Sequence, residues 1–320
     1  MMDARENILR VIRHDHPAWV PNGMESVIRL DPPVIERQTV TAQDDFGVQW
    51  VLVPEAEGGT YPPPGGHVIH DPDRWREQIT IPDVANLEWN SVAAAAARID
   101  RRHCLVEGFV EMGLFERSYL LLGMEEALIG YLTRPERMDK LLAALADYKI
   151  ALITRFHAAA GLDILWYGDD WGTQQQLFLS PAVWRRLVRP HTQRIYDCAH
   201  RLGILVNQHS CGRIDSVFAD VVEMGADLWN PCQPCNDLAR LKRTHGDRIT
   251  FIGGIDSQFV LARPGATPAD VRAEVRRRID EMAAGGGYIA APSHSVPYQP
   301  DLLAAMNDEI AVYGRQFYSQ

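Results

Sequence analysis

The residues of this chain whose types and spacing best suit chemistry are His209 and Cys211, at the end of an apolar run from Ile204 to His209. On a strand, residues i and i+2 point the same way, so an imidazole and a thiol share one face. Both donors suit zinc, which is borderline-soft and takes nitrogen and sulfur ligands. A catalytic zinc needs three protein ligands and an open position. His294, just past the run Tyr288 to Pro292, is the third candidate. The pair also has an ordinary reading, in which His209 hydrogen-bonds a backbone group and Cys211 packs as a small buried hydrophobe.

Asp169 and Asp170 follow another apolar run, Asp163 to Gly168. Adjacent carboxylates in a cleft raise one another's pKa and can act as general acid and base. Alternatively they stand behind a metal or cap a loop. Asp170 shares parity with Trp166 and Gly168 and is expected to point inward. Glu107, Glu111, Met112, Phe115, Glu116 and Arg117 follow a further run and are pocket candidates, as are Trp166, Tyr167 and Trp229. Asn230, Gln233 and Asp256 also sit just after apolar runs. Cys232 and Cys235 form a Cys-x-x-Cys without a second pair. A zinc ribbon needs that second pair, so Cys232 is taken as packing near the site and Cys235 as incidental.

Such residues converge only if the runs are parallel strands whose C-terminal ends share one face. From Asp163 onward, strands at Asp163 to Gly168, Ile204 to His209, Asp227 to Asn230, Ile249 to Gly254 and Tyr288 to Pro292 alternate with amphipathic helices. The intervening helices are expected from Ser180-Pro181 to about Leu202, Ile214 to Met224, Asn236 to Gly246, and Thr267-Pro268 to Gly285. A last helix is expected over Asp301 to Phe317. His103 to Phe109 reads as a sixth strand and Trp19 to Asn22 as a seventh, with no eighth evident. Thr133 with Glu136 suggests a capping box for a helix carrying Met138, Leu141, Leu145, Tyr148, Leu152 and Phe156. Asp44 to His70 is rich in Gly and Pro, with Val48 to Val53 as one arm of a hairpin. The fold expected is a distorted (β/α)8 TIM barrel forming one domain over residues 1–320. Residues 1–100 supply a hairpin-containing decoration and the first strand, and 101–320 the main barrel.

Composition agrees with a globular enzyme: 46% hydrophobic and 23% charged residues. A net charge of −10 without a Lys/Arg cluster argues against a nucleic-acid partner. No run reaches the ~20 apolar residues of a membrane span. Residues 1–15 are amphipathic and charged rather than signal-like, and five cysteines in a long chain suggest reduced thiols and a cytoplasmic location. A homodimer is among the assemblies left open.

Taken together, several segments resemble the uroporphyrinogen decarboxylase-like superfamily, which includes zinc methyltransferases of corrinoid-dependent systems. The resemblance rests on residues 5–10, Asp169-Asp-Trp-Gly-Thr-Gln174, Ser180-Pro181 and His209-Ser-Cys-Gly212. It extends through Asn230-Pro-Cys-Gln-Pro234, Gly253-Gly-Ile-Asp256 and residues 286–294. It implies a distorted TIM barrel. Gln174, Gln233 and Asp256, with Glu107, Met112, Trp166 and Tyr167, are the expected substrate contacts. Porphyrinogen decarboxylases carry an early Arg-Gln-Ala-Gly-Arg segment that binds propionates, where this chain reads Trp19-Val-Pro-Asn-Gly-Met-Glu25. The methyltransferase branch binds zinc through His-x-Cys and a later Cys, and His294 stands at that later position here. The resemblance therefore implies a zinc methyltransferase acting between a small methylated or methoxylated compound and a corrinoid protein or a thiol. The corrinoid would belong to a separate protein. The rival is a cofactor-independent decarboxylase of a small or tetrapyrrole carboxylate, with Asp170 as the key group. A partner-binding barrel without catalysis is a third reading.

Overall fold

The computed structural model describes residues 2–53, 59–294 and 297–318, so Met1 and residues 54–58 of the Gly/Pro-rich segment lie outside the described residues. After a helix Ala4–Ile12, capped by Asp3, comes β1 (Val27–Leu30). Then β2 (Ala42–Gln43), β3 (Gln49–Val53) and β4 (Gly59–Tyr61) form a small antiparallel sheet, the expected hairpin decoration. The barrel strands follow: β5 (Leu105–Val110), β6 (Ile164–Gly168), β7 (Leu205–His209), β8 (Leu228–Asn230), β9 (Thr250–Ile255) and β10 (Tyr288–Pro292). They pair in parallel in the order β1-β5-β6-β7-β8-β9-β10.

The sheet curls on itself as a distorted TIM barrel. Asn22 makes a parallel bridge to Ala290 in β10. Gly23 N–H donates to the Ala290 carbonyl at 2.7 Å, and Ala290 N–H donates to the Pro21 carbonyl at 3.0 Å. Residues 23–26 alone then separate this contact from β1, so the two sheet edges meet. Trp19 to Asn22 is thus a bridge and no full strand, and the missing barrel strand is β1. Its side chains are half-buried or exposed, so it lacks the apolar run that marks its neighbours.

Three local expectations change. Asp237, not Asn236, caps the helix Leu238–His245, accepting from Arg240 N–H at 3.1 Å. Asn236 instead accepts from Ile214 N–H and donates to the Gly212 carbonyl, pinning the loop after β7. The helix before β8 begins at Phe218 rather than Ile214. Thr133 ends one helix, and the next, Pro135–Ala160, starts without a side-chain cap. Pro at its first position supplies the φ that a helix start needs.

Inward-facing side chains fill the barrel in tiers. The lowest is apolar: Leu105, Ile164, Leu228, Ile252 and Ile289 cluster with Ile8, Val11 and Ile12, so the N-terminal helix plugs the bottom. Two residues along each strand, the same parity gives Arg29, Glu107, Trp166, Asn207 and Asn230. Two further on come Phe109, Gly168 and His209, at the open end. Barrel interiors are usually dominated by bulky branched apolar side chains, so a polar middle tier is a departure that function must explain.

A buried ion cluster ties the decoration to the barrel wall. Arg117 is fully buried and donates to Asp44 at 2.8 Å and to the Glu36 backbone carbonyl at 2.7 Å. Lys149 donates to both Glu36 carboxylate oxygens and to the Glu111 carbonyl, each at 2.7 Å. Removing one partner from such a set strands an uncompensated charge, which costs about 3–5 kcal/mol. Arg117→Met is expected to lower stability by about that amount in urea unfolding. A loss below about 1 kcal/mol, the scale of an exposed pair, would show that the cluster does not hold the decoration.

Candidate metal centre and active site

Parallel pairing of β6 with β7 sets Gly168 beside His209. The match continues past both strands. Asp169 N–H donates to the His209 carbonyl at 3.1 Å, and Trp171 N–H donates to Ser210 Oγ at 3.0 Å. Cys211 N–H donates to Asp170 Oδ1 at 2.7 Å. The two loops then touch at Gly172 and Gly212, where a Cβ on Gly212 would lie 2.2 Å from the Gly172 carbonyl carbon. Gly212 also has φ of +79°, so two reasons require glycine there.

The result is a cluster of three different donors. His209 Nε2 lies 3.4 Å from Cys211 Sγ and 3.5 Å from Asp170 Oδ1. Ligand atoms of Asp170, His209 and Cys211 all fall within 4.8 Å of one another. An imidazole nitrogen, a thiol sulfur and a carboxylate oxygen so placed can hold one zinc-like cation and leave a position open. Burial, then the charge of Asp170, pushes the Cys211 thiol well above its ordinary pKa. A bound cation would reverse that, since a coordinating thiol is deprotonated.

His294 does not join the cluster: among the described residues, the only such grouping is Asp170, His209 and Cys211. The reason is position in the barrel. β6 is hydrogen-bonded to β7, whereas β10 stands three places further around. His294 is exposed, with its backbone N–H donating to Ser257 Oγ at 2.9 Å.

The donors line one cavity of about 790 Å³ at the strand ends, together with Arg29, Arg37, Phe109, Glu111, Met112, Glu116, Trp166, His294 and Tyr298. Rings and a guanidinium stack across its wall. Arg29 lies 3.2 Å from the Phe109 centroid, Phe109 4.0 Å from Trp166, and Trp166 4.5 Å from His209. Burial, and then the charges of Asp170 and Asp169, push the Glu116 carboxyl well above its ordinary range. Glu116 and the two arginines are the functional candidates that sequence reasoning underweighted. Glu116 is one of several carboxylates after a strand, and Arg29 lies in the strand that was missed.

Other expected site residues lie elsewhere. Asp169 turns away and accepts from Phe115 N–H, Glu116 N–H and Trp171 Nε1 at 2.9–3.1 Å. It caps the helix Leu114–Leu122 rather than facing the cavity, and burial lifts its carboxyl to about 6. Tyr167, of opposite parity to Trp166, is fully buried outside the barrel, its hydroxyl accepting from Leu114 N–H at 3.2 Å. Glu107 lies in the tier below the cavity and touches Asn207. Gln174, Gln233 and Asp256 line a neighbouring cavity of about 650 Å³, which shares His294 with the first. There Gln233 accepts from Gly212 N–H at 2.6 Å, and Asp256 caps the turn at Gln258 and Phe259. Cys232 is fully buried as expected, and Cys235 lines the neighbouring cavity. Phe115, Arg117 and Trp229 are buried in the packing instead of lining the pocket.

A family model described as uroporphyrinogen decarboxylase (URO-D) matches residues 46–310. A uroporphyrinogen decarboxylase from Thermus thermophilus is 30% identical over 198 residues, 62% of this chain and 52% of that protein. The chain thus spans about half the length of that relative. One from Methylococcus capsulatus is 25% identical over 306 residues, covering 91% of this chain and 81% of its own. Among solved structures, a methyltransferase from Methanosarcina mazei superposes with a TM-score of 0.66 at 15% identity, covering 98% of this chain and 99% of its own. That likeness shows the shared fold.

Two outcomes follow from the geometry. Zinc content after equilibration and desalting is expected to fall in His209→Ala, Cys211→Ser and Asp170→Asn, and to persist in His294→Ala. Loss in the last variant alone would contradict the cluster. Separately, burial raises the Glu107 carboxyl from 4.5 to about 7. Its contribution to stability is therefore full below about pH 4.5 and is lost as pH rises through about 7. At ~1.4 kcal/mol per pKa unit, Glu107→Gln is expected to gain roughly 3 kcal/mol at pH 8 and little at pH 4.5. Equal thermal shifts at both pH values would contradict this.

Proposed function

The chain belongs to the uroporphyrinogen decarboxylase family, and from that premise we propose that it is a zinc-dependent methyltransferase. The observation that carries this reading is the mixed N, S, O donor set at the C-terminal ends of neighbouring strands, inside a cavity large enough for a small substrate. His209, Cys211 and Asp170 would hold the metal. Bound there, zinc would supply Lewis acidity toward a methoxyl or methylthio group, or a thiolate from an acceptor.

The chain's own residues supply the rest. Phe109 and Trp166 give the apolar wall against which a methyl group is shielded from water. Arg29 and Arg37 match an anionic part of the substrate. Glu116, whose carboxyl burial pushes well above its ordinary range, would donate a hydrogen bond or a proton to a leaving oxygen or sulfur. The methyl group would move between a small methylated or methoxylated compound and either a thiol or a corrinoid carried by a separate protein.

A second reading has its own support. Two arginines and a Glu116 whose carboxyl is pushed well above its ordinary range, all in one cavity, also suit decarboxylation, the activity named for the curated relatives. Arginine would bind the carboxylate, and Glu116 would protonate the carbon that carbon dioxide leaves. One experiment separates the two: methyl exchange between methylcobalamin and a small thiol, and carbon dioxide release from porphyrinogen carboxylates, each measured before and after chelation. The first reading expects methyl exchange that chelation abolishes and added zinc restores. Carbon dioxide release unaffected by chelation, without methyl exchange, would overturn it.

A further inference from the structure

We propose that Glu107, acting through Asn207 and Asn230, is the positioning residue that fixes the proton of His209 on Nδ1 and turns a bare Nε2 toward Cys211 and Asp170. The inference deepens the metal-site reading and rests on it for its purpose, though not for its geometry.

The three relay side chains occupy the polar middle tier of the barrel, where Glu107 is 7%, Asn207 1% and Asn230 9% exposed. They form one hydrogen-bonded line. Asn207 Nδ2 donates to Glu107 Oε1 at 2.9 Å. Asn230 Nδ2 donates to Asn207 Oδ1 at 2.7 Å. Asn230 Oδ1 meets His209 Nδ1 at 2.5 Å. The line crosses β5, β7 and β8, so no single strand produces it.

Its direction is set from the Glu107 end and supported at Asn230, whose Nδ2 also approaches the Gln208 carbonyl at 3.5 Å. Above about pH 7 the Glu107 carboxyl is ionised and only accepts, so Asn207 then turns its NH2 to Glu107 and its carbonyl to Asn230. Asn230 must then turn its NH2 to Asn207 and its carbonyl to His209. A carbonyl facing Nδ1 requires a proton there, and a neutral imidazole has only one. Nε2 is left with its lone pair 3.4 Å from Cys211 Sγ and 3.5 Å from Asp170 Oδ1. Were the terminal group able to donate, both amides could reverse and the proton would move to Nε2, closing that nitrogen to a metal.

The arrangement is expensive as packing. Among the described residues no cation is in hydrogen-bond contact with the buried Glu107: its partner there is an amide, and Arg29 acts at longer range. Burial is the largest influence on its carboxyl, and it opposes the charge. A branched apolar residue at this tier would fill the barrel at lower cost. A buried carboxylate aimed by two amides at a ring nitrogen is explained by the direction it imposes on that ring.

The test is read first in metal-free protein. Histidine is labelled with 15N, and long-range 1H–15N correlations are recorded at about pH 8.5, where a free imidazole is neutral. The His209 signals are those lost in His209→Asn. The expected result is a proton on Nδ1 in the wild type. Glu107→Gln, whose amide can present oxygen or nitrogen to Asn207, and Asn207→Leu, which cuts the line midway, should both give a mixture of tautomers. Zinc dissociation constants, measured in competition with a chromophoric chelator, should rise about 10–100-fold in both variants. A wild-type proton on Nε2, or variants that keep Nδ1–H unmixed, would overturn the inference. If the tautomers shift as expected but the wild type binds no zinc, the relay stands and the metal reading falls. If zinc binds all three proteins alike and the tautomer never moves, the metal reading stands and the relay falls.

Discussion

The site depends on the parallel pairing of β6 with β7, carried on past the ends of both strands. Register sets Gly168 beside His209, and three further hydrogen bonds keep the departing loops together as far as Cys211. Because side chains alternate, matching positions two residues on share a face. Asp170 thereby meets His209 and Cys211. Gly172 and Gly212 are what let the loops lie in contact rather than diverge. A side chain at either would push backbone against backbone, and the donors would separate by more than a metal tolerates.

Beneath this lies a trade between stability and chemistry. The lowest tier of the barrel and the helix that plugs it are apolar and stabilise by burial, each fully buried branched side chain contributing roughly 1.5–3 kcal/mol. The tier above gives up that gain for Glu107, Asn207 and Asn230, whose hydrogen bonds run toward His209. The same trade appears at Asp169, which is buried to hold the start of the helix carrying Glu116. That helix carries the Glu116 carboxyl, which burial and the charge of Asp170 push well above its ordinary range.

Much of the fold was legible because most barrel strands are apolar runs with turn signals between them. The strands from β5 to β10 fall within a residue or two of where periodicity sets them. β1 escaped because it is short, half-exposed and centred on Arg29. The inward parity of Asp170 was also legible, since strand alternation fixes it. Which donor completes the cluster was not. Strand order around a barrel decides whose ends adjoin, and from sequence His294 stood as the third ligand, with Asp170 as an acid/base or a group behind the metal. The outward turn of Tyr167 follows from the same alternation once β6 is placed. The capping role of Asp169 needed the three-dimensional position of a helix that starts far away in the chain.

Methyl transfer and decarboxylation make different demands on one framework, and the proposed metal is what divides them. X-ray absorption at the zinc edge, on protein loaded with about one equivalent, tests this most directly. One sulfur scatterer is expected near ~2.3 Å, with nitrogen and oxygen at ~2.0–2.2 Å. The shell should be unchanged in His294→Ala and should lose its sulfur in Cys211→Ser. A zinc shell without sulfur, or one that loses a nitrogen when His294 is removed, would contradict it.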